Sequence, residues 1–156
     1  MQGFHIMADV FPSIRGKNLN KRRLTVPDDF SGKNLIVIVA FQRWHQPHVD
    51  ATFERFEATG LQHTHHIIEV PVLANFSRLR QMRLDGVMRA GIQDRTVRER
   101  TITVYLDKAR FRAEVGISDE SSIHWFVIRH DSNIVIQRGE GIPSSKEVEH
   151  ITANSV

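Results

Sequence analysis

The sequence predicts an α/β fold of three layers, α/β/α, in which a mixed sheet lies between helices and ends in a C-terminal antiparallel hairpin. Residues 35–41 form a continuous apolar run rich in β-branched residues, which is typical of a strand buried on both faces. Strand-like and helix-like segments then alternate, as they do around a parallel sheet. Two later strand-like runs, 123–128 and 134–137, are separated by the polar turn 131–133, which predicts a hairpin.

Length and composition fit one domain over residues 1–156, with 1–20 as an extended N-terminal segment. The chain contains no cysteine, which excludes disulfides, thiolate nucleophiles and cysteine-ligated metals. Its net charge of +3 comes without a cationic tail, and aromatic residues do not alternate with its arginines. We therefore expect no nucleic-acid partner.

No segment has the apolar length of a membrane span, and residues 1–15 lack the apolar centre of a secretory signal. The default expectation is a soluble cytoplasmic protein without a membrane span. A secreted or membrane-associated location is expected instead if a signal sequence has been removed. The oligomeric state is left open.

The first strands and the first helix are predicted from the spacing of apolar residues and from residues that begin or end a helix. A short strand is expected at 24–26, before the buried strand 35–41. Pro47 then suits a first helical turn, and Gly60 ends the pattern. The helix between them carries apolar residues at helical spacing, namely Val49, Phe53 and Phe56.

The next unit is a strand at 66–73 followed by a helix at 77–90. Pro71 cannot donate to a ladder and is expected to end regular pairing. Gly86 and Gly91 weaken the helical pattern.

A third unit combines the alternating strand 101–106 with a short helix that Asp107 caps and Gly116 ends. After the hairpin, Gly139 and Gly141 are expected to release the chain in a turn. Ser144 and Glu147 have the spacing of a capping box, which predicts a final helix.

Seven arginines lie between residues 78 and 100. We interpret them as a solvated helix face paired with Asp85, Asp94 and Glu99, although they could instead meet phosphates, carboxylates or an acidic partner. They are Arg78, Arg80, Arg83, Arg89, Arg95, Arg98 and Arg100.

The segment after the 35–41 strand resembles the Trp-Cys-Gly-Pro-Cys motif of the thioredoxin family. Trp44 and Pro47 are retained, and His45 and His48 stand where the motif has its cysteines. The closing hairpin also resembles that fold, in the extended form of peroxiredoxin-like and thiol-disulfide reductase domains. The resemblance implies a thioredoxin-like fold, and the missing cysteines imply that redox activity does not carry over.

Segments 11–16, 24–27, 35–41 and 100–105 further resemble a cysteine-poor, thioredoxin-like group related to mitochondrial ATP synthase assembly factors. The cis-proline position of the thioredoxin family falls at Ile123 or His124. Since neither is proline, we expect a trans peptide there and an altered substrate-binding loop.

The candidate ligand-binding residues follow from that resemblance. They are Arg43, Trp44, His45, Gln46, Pro47, His48, Ile123 and His124. His45 and His48 are expected on one helix face with His124 opposite, where three imidazoles suit zinc or copper. Arg43 and the helix N-terminus suit an anion instead. The interpretation we favour is that these are surface or half-buried polar side chains left from a lost active site.

A second histidine cluster consists of His63, His65 and His66, with His63 and His65 on one side of an extended chain. Two histidines make a weak metal site, so we interpret the cluster as a solvated loop.

The leading functional expectation is a non-catalytic binding or assembly module whose partner is a protein. The alternative is a metal-binding protein that uses His45, His48 and His124 in place of the cysteines, with no other cofactor expected.

Overall fold

The computed structural model describes residues 9–75, 77–92 and 94–154. Within them, the order of elements follows the prediction, with a first strand and a third helix added. The strands are β1 (Ile14–Asn18), β2 (Arg23–Val26), β3 (Asn34–Ala40), β4 (His65–Ala74), β5 (Ile102–Leu106), β6 (His124–Ile128) and β7 (Val135–Glu140). The helices are α1 (Gln46–Ala58), α2 (Arg78–Gly91), α3 (Arg95–Arg100), α4 (Lys108–Val115) and α5 (Ser145–Ala153).

All seven strands join one mixed sheet in the order β2-β1-β5-β4-β3-β6-β7. The β3–β4 and β4–β5 pairs are parallel, whereas the other four pairs are antiparallel. The predicted C-terminal hairpin is present as β6–β7. A second antiparallel pair, β1–β2, forms the opposite edge of the sheet.

Strand β3 divides the core because its side chains alternate between two apolar clusters. Leu35, Val37 and Val39 pack in the cluster that contains Phe111 of α4. The intervening residues, including Ile36, pack in the cluster that contains side chains of α1 and α5. Helices therefore cover both faces, which confirms the three-layer architecture.

The predicted helix signals act as expected. The Asp107 carboxylate accepts the backbone N–H of Arg110, and Gly116 ends α4 in the left-handed region at φ 72°. Ser144 and Glu147 accept each other's backbone N–H groups in the predicted capping box at the start of α5.

Pro71 ends the pairing of β4 with β3, as predicted, but it does not end the strand. Pro71 pairs with Ala40 at the last position of the β3–β4 ladder, and from Val72 onward β4 pairs with β5. The proline is tolerated because the strand changes partners at that point. Contrary to the prediction, Gly139 does not release the chain, since it lies within β7 opposite Trp125.

The arginine segment forms two helices, and two of its acidic residues, Asp85 and Asp94, have other partners than expected. Asp85 forms an ion pair with Lys17 at 3.7 Å, and the Asp94 side chain caps α3. Arg100 pairs with Glu57 of α1 at 3.1 Å. None of the helices in the described part of the chain is long and apolar enough to cross a membrane.

Candidate functional site at the start of helix α1

The candidate site lies where β3 ends and α1 begins. After Ala40 the chain forms a short 3-10 helix, Arg43–His45, and continues directly into α1 at Gln46. Pro47 occupies the first helical turn, where its missing N–H leaves no intrahelical bond unmade. Ligands of open α/β sheets bind outside the carboxyl ends of the parallel strands, and this segment occupies that position.

His45 is completely buried, contrary to the surface or half-buried position expected from the sequence. Its Nδ1 accepts the backbone N–H groups of Phe41 and Gln42, both at 3.3 Å. The proton of the neutral ring therefore lies on Nε2, which has no hydrogen-bond partner among the described residues. Burial lowers the pKa of His45, and His48 lowers it further, while the backbone of Ser121 raises it.

His48 does not share a helix face with His45, as the sequence had suggested. It is exposed in the first turn of α1, whereas His45 belongs to the preceding 3-10 helix and points inward. The Trp44 ring lies edge-on to both, with centroid distances of 4.2 Å to His45 and 6.2 Å to His48. Trp44 itself is 58% exposed, so the two histidines support an aromatic side chain that faces solvent.

Arg43, Gln46 and Pro47 are also exposed. The Gln46 side-chain amide donates to Asp50 of α1 at 3.0 Å. The exposed part of the predicted site is therefore a short ridge around Trp44, which we call the Trp44 ridge: Arg43, Trp44, Gln46, Pro47 and His48.

His124 begins β6 and pairs with Val39 on one side and Glu140 on the other. Burial lowers the pKa of His124, Arg138 and His45 lower it further, and Glu140 and Asp119 raise it. These two carboxylates near His124 were not identified from the sequence, because one comes from a loop and the other from the partner strand.

Ile123 is fully buried and accepts the N–H of Gly141 through its carbonyl at 2.8 Å. Its side chain belongs to the apolar cluster under α1 and α5. The cis peptide of the described residues is Val26–Pro27, so the bonds at Ile123 and His124 are trans, as expected.

The structure brings His45 close enough to His124 to lower the pKa of His124, and His48, which is exposed, lowers the pKa of His45. Across the described ranges, no three histidine, aspartate or glutamate side chains are grouped so that they could hold a metal ion.

A titratable residue that sequence analysis missed, Glu69, lies below the site. It is 3% exposed in β4, beside Ile38 of β3. Burial is the main cause that raises the pKa of Glu69 to about 7, and Asp50 adds to it, whereas Gln46 and two further groups lower it. The signal in the sequence is a lone glutamate within the apolar run of a buried strand.

The second histidine cluster is not a solvated loop, and the chain is extended only at His65 and His66. His63 ends a 3-10 helix, whereas His65 is buried in β4 with its Nδ1 2.8 Å from the Thr64 hydroxyl. His66 Nε2 lies 3.1 Å from the Ser31 carbonyl. His65 and His66 therefore have different hydrogen-bond partners, and His63 is exposed.

No family model matches this sequence, and no curated protein matches it. Solved structures do match it over most of its length. The thioredoxin domain of a thiol-disulfide oxidoreductase from Bacteroides vulgatus is 14% identical, with a TM-score of 0.55, over 93% of this chain and 94% of that chain. The exposed lipoprotein thioredoxin of Streptococcus pneumoniae is 8% identical, with a TM-score of 0.59, over 91% of this chain and 98% of that chain. The chain has a thioredoxin-like fold.

Another structure with the thioredoxin-like fold is BsSco, a member of the Sco family of cytochrome c oxidase assembly proteins. It is 8% identical, with a TM-score of 0.58, over 94% of each chain. At these identities the likeness concerns the fold alone. The chain contains no cysteine, so its thioredoxin-like fold has no thiol with which to exchange disulfides.

Proposed function

We propose that this protein is a non-redox, thioredoxin-fold binding or assembly module that recognises another protein through the Trp44 ridge. The observation that carries the proposal is the exposed Trp44 ring at the end of β3, which makes edge contacts with the rings of His45 and His48. A tryptophan that is fixed in place and open to solvent buries a large area on contact without losing much side-chain freedom.

The composition of the ridge supports a protein partner. Arginine and tryptophan are enriched where proteins meet, and Arg43 stands directly beside Trp44. His45, in turn, uses Nδ1 to accept two backbone N–H groups that would otherwise be buried without a partner. It therefore shapes the turn that presents the ridge.

Site-specific photo-crosslinking tests this proposal. A photoreactive residue at position 44 is expected to capture one protein from a native extract, and unmodified protein should compete for it. Trp44→Ala should compete at least about tenfold more weakly, because tryptophan is a frequent source of interface binding energy. Mass spectrometry of the adduct identifies the partner.

The matched control places the same photoreactive residue at Glu54, which is exposed on the adjoining helix α1. Equal capture at positions 44 and 54, or undiminished competition by Trp44→Ala, would contradict the proposal. Turnover of a substrate by the pure protein would do so as well.

A second candidate function is zinc or copper binding by His45, His48 and His124. Its support is the proximity shown by two effects, since His48 lowers the pKa of His45 and His45 lowers the pKa of His124, together with the histidine at each cysteine position of the motif. It ranks second because a metal at His45 must displace either the Nε2 proton or the two N–H groups on Nδ1.

Calorimetric titration with zinc and copper separates the two functions. Tight one-to-one binding that is lost in His48→Ala and in His124→Ala, yet kept in His63→Ala, would support a metal site. No binding by the unmodified protein would exclude it and leave the protein-binding proposal standing. His45→Ala is not used, because His45 contributes to the fold.

A further inference from the structure

A cleft of about 700 Å³ lies between helix α2 and the edge of the sheet formed by β2, β1 and β5. None of its lining residues belongs to the Trp44 ridge or to residues 123–124. Its polar lining comes from both walls: Arg15, Lys17, Arg23, Thr103 and Tyr105 on the strands, and Asp85 on the helix. The volume is within the range of about 300–1,000 Å³ that is typical of small-molecule sites.

The strand register gathers three cations on one face of this edge. Lys17 of β1 pairs directly with Arg23 of β2, and its other neighbour is Thr103 of β5. Arg15 lies two residues before Lys17 and therefore points to the same face. Like charges directly opposite each other destabilise a sheet, so the Lys17–Arg23 pair is unfavourable unless an anion lies between them.

The cations of the cleft are only partly neutralised. Asp85 reaches Lys17 at 3.7 Å, and the Tyr105 hydroxyl holds that carboxylate by donating to it at 2.7 Å. Arg15 and Arg23 are exposed and form no ion pair with any residue in the described ranges. Three cations and one carboxylate leave a net charge of +2.

Thr103 adds an independent sign of a ligand. It is 2% exposed and lines the cleft, and its hydroxyl has no hydrogen-bond partner within the described part of the chain. Buried hydroxyls are almost always hydrogen-bonded, because an unpaired one loses its bond to water without replacement. A ligand oxygen in the cleft would satisfy it.

We propose that this cleft binds the phosphate group of a ligand. A phosphate dianion matches the net charge of +2, and the guanidinium forks of Arg15 and Arg23 suit bidentate pairing with its oxygens. The Thr103 hydroxyl donates to a third oxygen, and Lys17 contributes a point charge. The ligand is either a soluble phosphorylated small molecule or a phospholipid headgroup; beside the cleft, α2 exposes Leu79 and Met82 by 69% and 61%.

Calorimetric titration with inorganic phosphate at constant ionic strength tests the soluble source. The unmodified protein should bind phosphate at a single saturable site. Arg23→Ala and Thr103→Val should each weaken binding by about tenfold, as expected for the loss of one hydrogen bond to a charged ligand. Arg110→Ala removes the same charge from an exposed position on α4 and should leave binding unchanged.

Both variants are expected to remain folded. Arg23→Ala relieves a like-charge pair, and Thr103→Val replaces an unpaired hydroxyl with a methyl group of similar volume. Without phosphate, their midpoints of thermal unfolding should therefore equal or exceed that of the unmodified protein.

Sedimentation with vesicles of phosphatidylcholine and phosphatidic acid tests the lipid source, with pure phosphatidylcholine vesicles as the control. If the protein binds the mixed vesicles but not pure phosphatidylcholine vesicles, and Arg23→Ala abolishes this binding, the proposal is supported and the ligand is a lipid headgroup. If the protein binds phosphate but no vesicles, the proposal is supported and the ligand is a soluble phosphorylated molecule. The proposal is overturned if neither probe binds, or if Arg110→Ala weakens binding as much as Arg23→Ala. The outcomes of the phosphate and vesicle experiments do not affect the proposal for the Trp44 ridge, because the cleft and the ridge share no residue.

Discussion

Gly139 of β7 lies directly across the ladder from Trp125 of β6, and the indole ring fills the space in which a side chain at position 139 would begin. A Cβ atom on Gly139 would overlap the ring. Trp125 is fully buried and packs edge-on against Phe56 of α1, with ring centroids 6.1 Å apart. The glycine thus permits the packing of the C-terminal hairpin under α1.

Gly139→Ala is expected to lower the free energy of unfolding by about 1–3 kcal/mol, because the indole or the strand must move to admit the methyl group. Urea denaturation measures the effect. Gly86→Ala is the matched control: no atom lies within 4 Å of its added Cβ. Since Gly86 lies inside α2, alanine there should raise the free energy of unfolding by roughly 0.5–1 kcal/mol. A loss in both variants would contradict this account of Gly139.

Replacing His45 should cost far more stability than replacing His48. His45→Ala removes a buried ring and leaves the N–H groups of Phe41 and Gln42 unpaired, so we expect a loss of about 2–4 kcal/mol. His48 is exposed, and His48→Ala should stay within about 0.5 kcal/mol. Denaturant titration of the two variants side by side decides the matter, and similar losses would show that His45 is not a structural residue.

Acidification should destabilise the protein through His45. Burial holds the pKa of His45 below its ordinary value of 6.5, so the unfolded chain takes up this proton first as the pH falls. The corresponding stability is present above about pH 6.5 and is lost as the pH falls through the lower, folded-state pKa. His65 and His124 act in the same direction.

Denaturant titrations above and below pH 6.5 measure this dependence. His45→Gln should make the dependence of stability on pH shallower. An unchanged dependence in His45→Gln would assign it to the other buried histidines.

The contribution of Glu69 to the free energy of unfolding should depend on pH in the opposite direction. Its pKa rises from 4.5 to about 7 on folding, so its stabilising effect is complete below about pH 4.5 and is lost as the pH rises through about 7. Glu69→Gln keeps the shape without the charge, and it should exceed the unmodified protein by about 2–3 kcal/mol above pH 7. The two should converge at low pH. Glu54→Gln, an exposed substitution, is the control and should show no such divergence.

Much of the fold could be predicted because its signals are local. The apolar run at 35–41 gave a strand that is buried on both faces, and Ser144 with Glu147 located the start of α5. Strand β1 could not be predicted in this way. Its sequence, Ile14–Asn18, alternates poorly, and it becomes a strand through its pairing with β2 and β5.

For the segment around Trp44, the position at the start of α1 was predicted, but the orientation of its side chains was not. Trp44, Pro47 and the two histidines stand where the motif resemblance placed them, at the start of α1. That His45 points inward follows from the 3-10 turn before α1 and from its bonds to two backbone N–H groups, and no spacing rule encodes either. The burial of Glu69 under α1 likewise depends on which strand lies beside β3.

By itself, the sequence determined the absence of thiol chemistry, the alternation of strands and helices, and the caps that end them, because composition and short-range periodicity are properties of neighbouring residues. Only the tertiary structure decided which side chains meet. Thr103 is far from Lys17 and Arg23 in the chain, and strand register makes it a direct neighbour of Lys17. Register depends on pairing and packing across the whole sheet, so the cleft beside α2 could be recognised only once the strands were in place.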